Sequence, residues 1–193
     1  VAEITTDEVE IIGIGTALSG QGLRKSQVIN VDATVQAVRR AVEEAQMGAS
    51  CEIHNVCASV TGEHILGLLS QGAWALKDRE VSSGDIQRVL DIARAVALPS
   101  GYEILHVLPQ EFIVDGQDQG RSPLGASGVR LEANVQIIAA SSDAVQTIHK
   151  CGERAGLQVR SLHFAALAAA EAVLAPEEKE LGVVVLDVGG GTT

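Results

Sequence analysis

Apolar and polar residues follow one another along this chain in regular patterns. Between residues 129 and 140 every second side chain is apolar and those between are mostly charged or amides, which predicts a long strand with one buried face. Short apolar runs bounded by turn residues predict further strands, the last of them fully buried, at 9–14, 53–60, 102–108, 111–116, 157–164 and 183–186.

Apolar residues at steps of three and four predict helices between these strands, at 32–47, 83–97, 144–155 and 165–175. The helix at 83–97 has the clearest beginning, because Ser82 followed by Asp85 resembles a capping box. Strands alternate with helices in some parts and follow one another directly in others, which indicates a mixed α/β protein.

Composition narrows the function classes. The chain has 193 residues, with 25 acidic and 14 basic side chains and a formal charge of −11, which argues against nonspecific nucleic-acid binding. The same charge argues against electrostatic docking on anionic lipid.

Three cysteines without a CxxC pair indicate reduced thiols in a cytosolic protein. The five histidines are scattered singly and are expected on the surface or hydrogen-bonded in the core.

The chemistry of the last residues suggests a phosphate site. The sequence LDVGGGTT places an acid, three glycines and two hydroxyls directly after the apolar run 183–186. Glycine lets backbone N–H groups approach a phosphate, threonine supplies a further donor, and a carboxylate holds Mg²⁺ or its water. The alternative is a glycine-rich turn without a ligand. The candidate residues are Asp187, Gly189, Gly190, Gly191, Thr192 and Thr193.

Two further stretches are candidates for contact with other molecules. The loop 116–128 is rich in glycine and polar residues and suggests an exposed hairpin tip. Trp74 has apolar neighbours, which favours a place in the core over a role as an interface anchor. The charged stretch 77–80 is expected to be a solvated turn, with partner binding as the alternative.

Four segments of the chain are distinctive: GLRKSQVINVDATVQAVRRAVEEAQ at 22–46, VTGEHI at 60–65, HVLPQEF and SPLG within 104–133, and LGVVVLDVGGGTT at 181–193. In this order they resemble the FtsA family of bacterial cell-division proteins. HVLPQEF and SPLG are specific to that family, whereas DxGGGTT is shared across the actin-like ATPase superfamily. The similarity extends over essentially the whole chain.

The resemblance implies an actin-like, ribonuclease-H-like subdomain 1A that is split in sequence around an inserted subdomain 1C. Residues 1–52 would form the first part of 1A and residues 142–193 the second part, truncated after the phosphate-binding turn. Residues 53–141 would form 1C, with a strand–helix–strand–strand plan. The chain would then be the N-terminal half of a longer protein.

The resemblance also implies bound ATP and Mg²⁺. Asp187 would hold Mg²⁺ or orient its water, and the glycine amides and Thr192 would approach the β- and γ-phosphates. A first phosphate hairpin would precede residue 1, and the adenine site would follow Thr193. The isolated chain is therefore expected to bind Mg-ATP weakly or not at all, and a micromolar affinity would refute this. No catalytic residue is assigned, and any ATPase activity of the parent is expected to be weak.

In the family, the implied function is that of a division scaffold. The parent would polymerise with ATP bound and tether FtsZ filaments to the inner face of the cell membrane at the septum, through a C-terminal helix outside this chain. Subdomain 1C would contact neighbouring protomers and recruit later division proteins, with residues 64–82 and 115–128 as the candidate surface. Two alternatives remain: the pilus-assembly protein PilM, against which HVLPQEF weighs, and a sugar kinase, which would need a catalytic carboxylate besides Asp187.

Overall fold

A computed structural model describes residues 1–6, 8–189 and 192 of the chain, and divides it into two compact units. Unit 1 comprises residues 1–64 and 143–193, and unit 2 comprises residues 65–142. In chain order the elements are β1 (Ala2–Ile4), β2 (Val9–Ile11), β3 (Leu23–Arg24), β4 (Gln27–Val28), α1 (Val31–Ala49), β5 (Asn55–Val60), β6 (Ile65–Ala75), α2 (Ser83–Arg94), β7 (Tyr102–Val114), β8 (Gln117–Asp118), β9 (Arg130–Ser141), α3 (Ser142–Ala155), β10 (Gln158–Phe164), α4 (Ala165–Val173) and α5 (Pro176–Leu181).

Unit 1 contains three two-stranded sheets among its described residues: β1 with β2, β3 with β4, and β5 with β10. Only the β5–β10 pair is parallel. Asn30 caps the start of helix α1, because its side-chain oxygen accepts a hydrogen bond from the backbone N–H of Ala33 at 3.1 Å. The segment around Gly15, which precedes α1, lies directly against the backbone of this helix. A Cβ at Gly15 would be only 1.7 Å from the Ala41 backbone oxygen. Small residues therefore set the approach of this segment to α1.

Unit 2 is a four-stranded antiparallel sheet in the order β6-β9-β7-β8, with α2 packed on one face. The alternation predicted for residues 129–140 is confirmed, since Leu131, Val135 and Ile137 of β9 are fully buried. Val89 and Ala93 of α2 are equally buried and belong to the same core. The helix and sheet of this unit therefore enclose one hydrophobic core.

Three expectations differ from the structure. Residues 102–108 and 111–116 are one strand, β7, whose register shifts beside Pro109. The buried strand expected at 183–186 is wrong: these residues have no regular structure, and Val184 is 88% exposed. An apolar run becomes a strand only where another strand supplies its hydrogen bonds, and no described strand pairs with this one. The boundary expected at residue 53 falls before β5, whose pairing partner β10 lies in unit 1.

Within the described part of the chain, no helix combines the length and the apolar composition needed to cross a bilayer.

Candidate functional site

The predicted phosphate-binding residues lie at the end of unit 1. Asp187 and Gly189 are exposed and Thr192 is half-buried, while Gly190, Gly191 and Thr193 lie outside the described residues. The backbone N–H of Gly189 donates to the Thr192 carbonyl oxygen at 2.9 Å. A Cβ at Gly189 would lie 3.5 Å from the Thr192 hydroxyl, so the hydroxyl and the bare backbone of Gly189 are close neighbours. The Gly189 N–H is thus used within the segment, whereas the Thr192 hydroxyl and the exposed Asp187 carboxylate are groups of the kinds that bind a phosphate and its magnesium ion.

In unit 2, the structure brings parts of the two predicted contact segments together. The backbone N–H of Val81 donates to the Ala126 oxygen at 2.9 Å, and the N–H of Gly125 donates to the Val81 oxygen at 2.9 Å. The N–H of Gly128 donates to the Arg79 oxygen at 3.0 Å. Residues 79–81 and 125–128 are therefore hydrogen-bonded into one unit, which we call the loop surface. Its Val81 side chain is buried in the core, whereas most of its other residues are exposed.

A tight turn and a carboxylate hold the base of the 115–128 loop. Asp115 and Gly116 have φ angles of 48° and 83° and connect β7 to β8, as Asp-Gly pairs do in two-residue hairpins. The Asp115 carboxylate then accepts the backbone N–H groups of Val129 at 3.0 Å and Arg130 at 2.9 Å. Residues 77–80 are all exposed, as both the solvated turn and the partner-binding interpretation of this stretch require.

Trp74 belongs to the interior side of unit 2. Its indole N–H donates to Asp85 at 2.9 Å, and its half-buried ring packs against the hydrophobic core. The Arg88 guanidinium lies 5.3 Å from the ring centroid, a distance typical of a cation–π contact. The interpretation of Trp74 as a core residue is therefore confirmed.

The Ser82–Asp85 capping box is also confirmed. The backbone N–H of Ser82 donates to the Asp85 carboxylate at 3.1 Å, and the Asp85 N–H donates to the Ser82 hydroxyl at 3.3 Å. The hydroxyl itself also donates to the carboxylate at 2.5 Å. Hydrogen bonds from the Ser82 side chain and backbone, then from Trp74, together with the charge of Arg88, lower the pKa of Asp85 despite its burial. These contacts fix the start of α2 and its contact with β6.

Unit 1 contains an apolar cavity that the sequence analysis did not identify. It has a volume of about 210 Å³ and is bounded by side chains of α1, α3 and β5, including Val38, Val56 and Ile148. His64 also lines it, and both ring nitrogens are buried without a hydrogen-bond partner among the described residues. The expectation of a surface or hydrogen-bonded histidine is therefore wrong at this position, and burial lowers the pKa of His64. The sequence signal was a lone polar ring next to the apolar strand β6.

The described residues of neither unit form a group of three or more His, Cys, Asp or Glu side chains suited to a metal ion.

Comparison with known proteins places these features in a family. Residues 62–139 match the family model described as the SHS2 domain inserted in FtsA. Cell division protein FtsA of Pseudomonas aeruginosa is 48% identical over 194 residues, which cover 100% of this chain and 46% of that protein. The proteins of the same name from Neisseria meningitidis and Escherichia coli are 46% and 38% identical, over 97% and 100% of this chain and 45% and 46% of theirs.

A solved structure shares the fold. The PilM-PilN type IV pilus biogenesis complex contains a chain that matches 93% of this chain and 47% of its own length, with a TM-score of 0.59 and 15% sequence identity. At that identity the likeness concerns the fold alone. The sequence similarity to the division proteins, by contrast, covers the whole chain. The chain therefore belongs to the FtsA family, and it spans about half the length of the curated relatives it matches.

Proposed function

We propose that this chain acts in bacterial cell division, within a scaffold protein that binds ATP, polymerises and tethers FtsZ filaments to the inner face of the cell membrane at the septum. The observation that carries the proposal is identity of 34–48% over the whole chain to proteins named Cell division protein FtsA in several bacteria. The matched region includes both units, so the proposal does not depend on the SHS2 match alone.

We further propose that unit 2 is subdomain 1C and that unit 1 belongs to subdomain 1A. Unit 2 runs strand, helix, strand, strand through β6, α2, β7 and β9, with β8 as a short addition at the edge. The loop surface, at 79–81 and 125–128, is then the candidate docking site for later division proteins. Its hydrogen bonds support this role, because they hold two separate segments in a fixed shape before a partner arrives.

For the nucleotide, we propose that the turn after residue 186 holds the phosphates of ATP. Gly190 and Gly191 would present backbone N–H groups, and Thr192 and Thr193 would donate hydroxyls. Gly189 would let the backbone approach the phosphates closely while its own N–H stays bonded to the Thr192 carbonyl oxygen, and Asp187 would bind Mg²⁺ or its water. When bound, the magnesium ion neutralises phosphate charge. The exposed Asp187 and the close approach of Thr192 to Gly189 support this assignment.

A second candidate function is pilus assembly of the PilM type. The fold likeness favours it, with a TM-score of 0.59 over 93% of the chain. Sequence identity favours cell division, because it is 15% to the pilus protein and 48% to the division protein of Pseudomonas aeruginosa. We therefore place the division scaffold first.

A chimeric protein tests the proposal. The segment of Pseudomonas aeruginosa FtsA that matches residues 1–193 is replaced by this chain, and the chimera is expressed in cells depleted of their own FtsA. We expect septa and normal cell length to return, since both halves would serve one scaffold. The matched control replaces the same segment by that of the Neisseria meningitidis relative, which is 46% identical to this chain.

Cell length and the position of fluorescent FtsZ are the measurements. If the control chimera divides cells while the chimera with this chain accumulates and leaves them filamentous, the proposed division role is wrong. Restored twitching in a pilM deletion strain, by a matching chimera built on PilM, would instead support the pilus function.

A further inference from the structure

The apolar cavity of unit 1 is larger than the gaps that protein interiors usually contain. Its volume is about 210 Å³, whereas few voids in a packed core exceed the size of a water molecule. An apolar cavity of about 150 Å³ is enough to hold benzene. The cavity beside His64 therefore has room for a single aromatic ring with one small substituent.

The lining of the cavity favours a neutral ligand. No Asp, Glu, Lys or Arg is among the described residues that line it, and most of them are aliphatic. Burial raises the pKa of the Cys151 thiol, so this side chain of the lining is uncharged at neutral pH as well. A charged ligand would lose its hydration without meeting an opposite charge, which costs far more than the burial of a neutral molecule.

His64 gives the cavity a hydrogen-bonding end. Both of its ring nitrogens are buried and lack a partner within the part of the chain that the structure describes. Thr34, another polar residue of the lining, already donates its hydroxyl to the Asn30 carbonyl oxygen at 2.8 Å. A neutral imidazole has one nitrogen that donates and one that accepts, so a hydroxyl, which can do both, can pair with either. Such a bond would remove the cost of an unsatisfied buried polar group.

No hydrogen bond from the described residues fixes the orientation of the His64 ring. A Cβ at Gly62 would lie 3.1 Å from Cε1 and 3.2 Å from Nδ1 of His64, so the missing side chain of Gly62 leaves room beside the ring. The χ2 torsion of histidine is broad. Rotation about this bond can therefore turn a nitrogen towards the cavity.

Water fits this cavity less well than a ring that bears a hydroxyl. A buried water molecule usually makes about three hydrogen bonds, and cavities walled by aliphatic side chains stay dry. Val38, Val56 and Ile148 offer only methyl groups to an occupant, and His64 can offer one nitrogen at a time. An occupant that fills the apolar volume and makes one hydrogen bond satisfies both parts of the lining.

The β3–β4 hairpin offers a route into the cavity, because Leu23, Ser26 and Val28 of this hairpin belong to the lining. Each of its strands is two residues long, and an exposed salt bridge of 3.8 Å joins Lys25 in its turn to Glu63. A two-stranded ribbon is marginally stable by itself, and an exposed ion pair adds little. Local opening of the hairpin can therefore admit a ligand.

We propose that the cavity of unit 1 binds a small, neutral aromatic compound that carries one hydroxyl group. The ring lies among Val38, Val56 and Ile148, and the hydroxyl pairs with a nitrogen of His64. Phenol represents this class of ligand. The proposal goes beyond the role in cell division and does not depend on it.

Phenol and toluene, which differ by a hydroxyl in place of a methyl group, are the probes. Each is titrated into the 193-residue chain with labelled Ile, Leu and Val methyl groups, whose resonances are followed by NMR. We expect both probes to shift the methyl resonances of Val38, Val56 and Ile148, with dissociation constants on the order of 1 mM. The methyl groups of Leu69, which is 80% exposed, serve as the reference for nonspecific contact.

Two substitutions at His64 test the hydrogen bond. His64→Leu removes both nitrogens, whereas His64→Gln is the matched control that keeps a neutral donor and acceptor. We expect the ratio of the toluene to the phenol dissociation constant to fall about tenfold in His64→Leu and to change less than about threefold in His64→Gln. This ratio cancels the different affinities of the two probes for water.

A third substitution tests the location. Val38→Phe places a ring inside the cavity and should weaken the binding of both probes at least about tenfold. Circular dichroism verifies the fold of each variant. If Val38→Phe does not fold, the identity of the shifted methyl groups in the wild-type chain locates the site instead.

Three results would overturn the proposal. One is the absence of phenol-dependent shifts at Val56 and Ile148 up to about 10 mM, ten times the expected dissociation constant. The second is a ratio that is equal in the wild type and His64→Leu, since the hydroxyl would then not meet His64. The third is unchanged phenol binding by a folded Val38→Phe variant.

Discussion

At the scale of single residues, His64 is a polar side chain whose burial is not compensated by hydrogen bonds within the described residues. Its two ring nitrogens are buried beside an apolar cavity without a described hydrogen-bond partner, so the neutral imidazole is favoured over the charged form. Burial holds the pKa of His64 below its model-peptide value of 6.5.

This burial predicts a pH-dependent stability. Because the unfolded chain binds the proton near pH 6.5 and the folded chain only at lower pH, the stability associated with neutral His64 is present above pH 6.5. It is lost progressively as the pH falls from 6.5 towards the lower pKa of the folded state. We expect the free energy of unfolding, measured with urea from pH 8 to pH 5, to fall less on acidification in His64→Leu than in the wild type. A difference between the two proteins that does not vary with pH would contradict the prediction.

The sequence predicted side-chain hydrogen bonds correctly where the two residues are close neighbours along the chain. Ser82 and Asp85 are three residues apart, and the capping box that this spacing predicts is present. The surroundings of His64 come instead largely from α1 and α3, which are distant in sequence, in addition to the preceding strand β5. No local pattern could therefore reveal that its nitrogens lack partners.

At the scale of elements, the contact between α2 and β6 depends on Gly72. A Cβ at this position would lie 2.1 Å from the Val89 oxygen of α2 and 3.0 Å from the Ala93 nitrogen, both backbone atoms. Gly72 is thus the residue that lets the helix lie against the strand.

A single methyl group should therefore weaken unit 2. We expect Gly72→Ala to lower the free energy of unfolding by about 1–3 kcal/mol, because backbone atoms of α2 must move to admit it. Gly84→Ala is the matched control: its nearest neighbour would be the Ser82 hydroxyl at 3.7 Å, and alanine favours the helix. Urea unfolding measures both, and equal stability of the two variants would show that α2 does not approach β6 so closely.

The sequence predicted the boundaries of helices and strands well, except where pairing with a neighbouring strand decides where a strand begins or ends. Pro109 made β7 read as two strands, whereas β9 continues past it and holds both halves in one ladder with a register shift. The Asp115–Gly116 pair was a recognisable hairpin signal, but β8 after it is only two residues long and has no apolar pattern.

At the scale of the whole molecule, the sequence predicted two regions but placed β5 in the inserted one. The parallel partner of β5 is β10, about a hundred residues later, and neither strand contains a signal for that choice. The strand predicted at the apolar run 183–186 is absent for the same reason. A strand forms only beside a partner strand, and an apolar run alone does not show whether a partner exists.

The proposed nucleotide site can be tested at this scale in the chimera with Pseudomonas aeruginosa FtsA. We expect Asp187→Asn to weaken Mg-ATP binding about tenfold, because a carboxylate is a preferred ligand of Mg²⁺, and to have little effect in EDTA. Glu180→Gln, which removes one exposed acid from α5, is the control and should bind Mg-ATP like the parent chimera. Calorimetric titration gives the dissociation constants, and equal values for the two variants would exclude Asp187 as a magnesium ligand.

The two ends of unit 2 are neighbours in its sheet, where Ile65 of β6 pairs with Ala140 of β9. The chain therefore enters and leaves unit 2 at neighbouring points. Unit 2 separates β5 from β10 in sequence, but it adds little to the distance that the chain must span between them. Once unit 2 has folded, the entropy lost in joining β5 to β10 should resemble that of closing a short loop. A module of different shape could replace unit 2, provided that its own ends emerge side by side.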